Sequence, residues 1–111
     1  MSDAARLKEN LRQMLAVLVD ERQALAGLDL DAIMGAAVDK QTLCSAMADP
    51  DPAEIDDECR GLLEAARRLN EVNRQVRNLV AANVAARLDA LTGAPALYRA
   101  VPAYAYAGAR G

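Results

Sequence analysis

Residues 51–93 read DPAEIDDECRGLLEAARRLNEVNRQVRNLVAANVAARLDALTG, and this stretch decides the fold. Asp51 as N-cap with Pro52 at the first helical position is a helix start. Glu54, Asp56, Asp57 and Glu58 then place negative charge where the helix dipole is positive. Ile55, Cys59, Leu62, Ala66, Leu69, Val72, Val76, Val80, Val84, Leu88 and Leu91 follow at steps of three and four, with Leu63 and Leu79 beside them. No proline interrupts the run, and its single glycine, Gly61, is tolerable. Thr92-Gly93-Ala94-Pro95 closes it. The reading is one helix over about 52–92, roughly 60 Å long at 1.5 Å per residue.

Upstream, Ser2 or Asp3 caps a helix over about 3–26, whose stripe is Ala4, Leu7, Leu11, Met14, Leu18 and Leu25. Gly27 fits its end, where a left-handed residue is cheap. Asp29 or Asp31 caps a second helix over about 31–48. Its stripe is Leu30, Ile33, Ala37, Cys44 and Met47, with Met34 and Leu43 alongside. Asp49-Pro50-Asp51-Pro52 breaks the chain before the long helix. Short turns make neighbouring helices antiparallel. The fold class is therefore all-α: an up-down-up three-helix hairpin or coiled-coil bundle over 1–93, followed by a flexible tail over 94–111. The third helix is the longest, so Val80, Val84, Leu88 and Leu91 are expected to extend past the other two as an uncovered apolar stripe.

Composition fits an aliphatic scaffold. The 111 residues contain no Phe, Trp or His, and all three aromatic residues, Tyr98, Tyr104 and Tyr106, fall in the last fourteen positions. The core must come from Leu, Val, Ile, Met and Ala, which leaves the rings for a tail too poor in apolar residues to bury them. Net charge is −3, divided as −8 over residues 1–59 and +5 over 60–111. Either the basic half faces an acidic partner, or an acidic helix pair packs on a basic third helix. The bases lack interleaved aromatics, which argues against nucleic acid. No apolar run reaches membrane-span length, and no signal peptide is read in the charged opening residues. With two cysteines expected as small buried hydrophobes, Cys44 and Cys59, the chain reads as cytoplasmic. It has no His, no phosphate-binding loop and no nucleophile–base set. Catalytic residues, metal ligands and cofactors are therefore expected to be absent.

Two charges interrupt the stripes. Glu21 sits between Leu18 and Leu25, and Lys40 between Ala37 and Cys44. In an antiparallel pair both lie on the facing surfaces. They either form a buried pair that fixes register or snorkel to the rim. Asn73 and Asn83 lie on the seam of the third helix, where a polar residue selects one alignment.

The chain resembles the FlgN-type flagellar export chaperones. The resemblance rests on Leu18-x-x-Glu21-x-x-x-Leu25, the turn and helix from Asp29 through Lys40, and the long helix bearing Asn70 and Asn73. Leu91-Thr92-Gly93 before a Tyr-containing tail completes it. The resemblance covers roughly residues 4–108. It implies a cytosolic, non-enzymatic protein. Such a protein binds the C-terminal helical segments of hook–filament junction proteins of the FlgK and FlgL type. It prevents their premature assembly and delivers them to the export gate. Val76, Val80, Val84, Leu88 and Leu91 would supply apolar contact to the client, with Arg74, Arg77 and Arg87 pairing its acids. The resemblance also implies that a tail Tyr docks on the gate's cytoplasmic domain. Tyr104-Ala-Tyr106-Ala-Gly108 fits the family's Tyr-x-x-x-Gly frame, with Ala and Tyr replacing the usual polar residues between. The role falls to Tyr98, Tyr104 or Tyr106. The competing reading is a homo-oligomeric coiled-coil assembly or regulatory protein, dimerising through the third helix, with no export role.

Overall fold

A computed structural model describes residues 2–47 and 51–93. It contains helices α1 (Asp3–Ala26), α2 (Leu30–Ala46) and α3 (Asp57–Thr92), with a short 3-10 turn at Pro52–Glu54. The fold is all-α. The chain divides into two units, Met1–Arg77 and Asn78–Gly111, and the boundary expected after Gly93 falls at the edge of the described residues. The tail over 94–111, with Tyr98, Tyr104 and Tyr106, lies outside them.

In the first unit, contacts between α1 and α3 advance together. Lys8 meets Asp56, Leu18 meets Asn73 and Glu21 meets Arg77, so the two helices are parallel. On α2 the order reverses. Lys40 meets Glu21, while Leu43 and Met47 pack on the cluster formed by Met14, Leu18 and Ala66. The topology is up-down-up. Leu11, Met14, Leu18, Ala24 and Leu25 make α1 the best-buried helix. Each fully buried Leu contributes about 1.5–3 kcal/mol.

The helix ends are set by short side chains. The Ser2 hydroxyl oxygen accepts a hydrogen bond from the Ala5 amide at 3.1 Å, and Asp29 Oδ1 accepts one from Ala32 at 3.1 Å. The third helix starts later than its sequence implies. Pro52 opens only the 3-10 turn, capped by Asp51, and Ile55 is extended. Asp56 is the N-cap of α3: its Oδ1 accepts from the Cys59 amide at 2.8 Å. Its other carboxylate oxygen takes Lys8 Nζ at 2.5 Å, which ties the cap to α1. That second partner favours starting the helix at Asp56 over Asp51.

The stripe of α2 is also turned from its expected phase. Ala36, not Ala37, is buried, beside half-buried Ile33, Lys40, Leu43 and Met47. Leu30, Ala37 and Cys44 are exposed, so of the two cysteines only Cys59 is a buried hydrophobe. Asp29 fixes where α2 begins and Lys40 points at Glu21. Together they set the helix rotation and carry Ala37 and Cys44 outward.

The link between α1 and α2 carries the third departure. The Leu28 amide donates to Leu25 O at 3.3 Å and the Asp29 amide to Ala24 O at 3.0 Å, the pair of bonds that defines a Schellman end. In that motif the left-handed residue is Leu28, at φ 53°, while Gly27 stays right-handed at φ −90°. Asp29 is committed to capping α2, so the reversal falls on Leu28. A Cβ at Gly27 would meet only Gln23 O, at an ordinary 3.5 Å. We predict that Gly27→Ala leaves stability unchanged or slightly raised. Leu28→Gly should raise it by about 0.5–1 kcal/mol, because left-handed backbone costs a Leu more than glycine's entropy costs the fold. Thermal melts of both variants check this; a loss of stability in Gly27→Ala would place the left-handed residue at 27 instead.

Candidate functional site

All three helices of the first unit meet at Glu21, whose side chain is 1% exposed. Lys40 Nζ of α2 lies 2.9 Å from Glu21 Oε2. From α3, Arg77 Nη1 reaches Oε2 at 3.2 Å and Asn73 Nδ2 donates to Oε1 at 2.9 Å. Asn73 Nδ2 also donates to the Leu18 carbonyl at 2.8 Å, and Lys40 donates to Asn70 Oδ1 at 3.3 Å. Glu21 therefore does not snorkel. Its two cationic partners keep part of their surface in water, while the carboxylate and Asn73 are sealed in.

Two opposed effects act on this carboxyl group. Burial alone raises its pKa, because a charge in an apolar interior is poorly solvated. The hydrogen bonds from Lys40 and Asn73, with the charges of Lys40 and Arg77, outweigh burial and hold it below the ordinary carboxylate range. Toward the start of α1, Lys8 pairs with Asp56 and, at 3.5 Å, with Glu58, while Arg12 also pairs with Glu58. The acidic first turn of α3 is thereby matched to bases on α1. These pairs are largely exposed and set alignment more than stability.

The residues assigned to client contact lie along α3. In the first unit Val76 is half-buried. In the second, Val80 is half-buried, while Val84, Leu88 and Leu91 are exposed, Leu91 at 83%. Arg74 is held by Glu71 at 2.6 Å, and Arg77 turns to Glu21, so neither is free to meet a client's acid without giving up a partner. Arg87 is exposed. Asn83, placed on the seam, is exposed as well.

Sequence reasoning missed a second apolar surface. Leu30, Met34 and Val38, one turn apart on α2, are 66, 60 and 63% exposed. The available signal was the composition of α2, which is apolar on nearly every side and cannot bury all of them against one neighbour. Comparison with family models, with curated proteins and with solved structures finds no match to this chain.

The sign of the pH dependence at Glu21 follows from its lowered pKa. Its stabilisation is complete above the unfolded carboxyl value and is lost as pH falls through the folded one. We predict that Glu21→Gln costs about 2 kcal/mol at pH 7, since it leaves Lys40 and Arg77 facing a neutral group. The gap to the unmodified protein should close as pH falls below about 4. Urea titrations of both proteins between pH 7 and pH 3 measure it; a gap that stays constant would mean that Glu21 is not charged in the fold.

Proposed function

We propose that this protein is a cytoplasmic, non-enzymatic export chaperone of the FlgN type. It holds the C-terminal helical segment of a hook–filament junction protein and releases it to the flagellar export gate. The observation that carries this reading is the exposed stripe Val84, Leu88 and Leu91 on α3. Such a stripe suits the helix-in-groove mode, in which an amphipathic client lays its apolar face along it. Exposed apolar surface of this kind marks a binding site more often than it marks nothing.

A second support comes from the residues on which the resemblance rests. Glu21, Lys40, Asn70 and Asn73 are four dispersed positions in sequence, and they belong to one hydrogen-bonded network. The pattern thus has a physical reason to occur together. No described helix is long and apolar enough to cross a membrane. In this reading a tail tyrosine, Tyr98, Tyr104 or Tyr106, docks on the gate's cytoplasmic domain.

Calorimetric titration of the chain with the C-terminal segment of a junction protein from the same organism tests the proposal. One-to-one binding at micromolar affinity or tighter is expected. Leu88→Glu and Leu91→Glu should each weaken it by at least about tenfold, or 1.4 kcal/mol, with helix content unchanged. A chain cut after Gly93 should keep the client and lose the gate's cytoplasmic domain. Absence of binding by a folded, helical protein would overturn the client assignment.

A further inference from the structure

Helix α2 is built like an interior helix, yet Ala36 is its only buried residue. Its outer face carries Leu30, Met34 and Val38, with exposed Asp31 beside them and exposed Asp39 at the border. Its single base, Lys40, is turned inward to Glu21. The outer face is therefore apolar and acidic, with no base to balance it.

The far part of α3 has the opposite character. By the helical period, Arg87 projects on the same side as Val84, Leu88 and Leu91, whereas Asp89 lies on the other side. That face is apolar and basic. Each surface is too apolar to remain in water without cost, and their rims carry opposite charge.

We propose that the outer face of α2 is covered by the Val84–Leu91 stripe of α3 from a second copy, each chain giving its stripe to the other's α2. Charge selects this occupant. Pairing α2 with another α2 would bring Asp31 and Asp39 toward their own copies, and pairing two α3 stripes would gather bases on one seam. Only α2 against α3 covers two apolar stripes and opposes unlike charges. Reciprocal exchange closes on itself, so assembly stops at the dimer. The dimer requires no client, and its existence is independent of the client's identity.

Light scattering on the full chain, eluted from a sizing column over a micromolar to submillimolar series, tests the inference. A dimer mass at the upper concentrations is expected. Met34→Glu, at an exposed position that cannot unfold the core, should leave a monomer throughout with its helix content intact. Asp31→Arg and Arg87→Asp should each weaken dimerisation about tenfold, and the two together should restore it. A monomer at every concentration overturns the proposal. So does a dimer that survives Met34→Glu, or a double variant no tighter than either single one.

Discussion

A carboxylate sealed inside an aliphatic bundle must be met by donors, and Glu21 draws one or more from each neighbouring helix. The rest of the first unit follows from that demand. Lys40 has to face inward, which sets the rotation of α2. Asn73 and Arg77 have to arrive one turn apart on α3, which sets its height against α1. An apolar side chain at position 21 would be about as stabilising, by the usual balance of desolvation against attraction. What it would not do is choose. Leu, Val and Ala stripes pack at several offsets with similar energy, whereas the Glu21 network closes at one.

This dependence also explains which features were legible in the sequence. The three helices, their order and the inward pairing geometry of positions 21 and 40 follow from spacing, because both charges break an otherwise regular apolar stripe. Caps at Ser2 and Asp29 were equally plain. The start of α3 was not, because Asp51 and Asp56 are both good caps and the choice between them is made by Lys8, forty-eight residues away. The phase of α2 was hidden for a related reason. A helix apolar on nearly all sides offers several acceptable stripes, and the one used is selected by Glu21. Leu28 was missed because glycine normally takes the left-handed position, and here the neighbouring cap claims the register first.

The distribution of burial carries the functional argument. Helix α1 places its long aliphatic residues inside, while α2 and α3 leave large apolar residues outside. A domain this small has few such side chains to spare from its core. Their presence on two surfaces, one acidic at its rim and one basic, points to association as what the chain is built for. With no related protein matched, that reading rests on the placement of these residues and on the resemblance set by Glu21, Lys40, Asn70 and Asn73.

The two-residue link at Gly27–Leu28 has a consequence for how the molecule forms. It makes α1 and α2 a local hairpin, whose closure costs little chain entropy. Asn73, in contrast, joins Leu18 across a separation of fifty-five residues. On a chain emerging from the ribosome, Lys40 is therefore available to Glu21 well before Asn73 and Arg77 exist outside the tunnel. One cation holds the carboxylate in a half-open hairpin, and the remaining donors lock it when α3 arrives. The order of synthesis and the order of burial then agree, so Glu21 has a counter-ion within reach at every stage of folding.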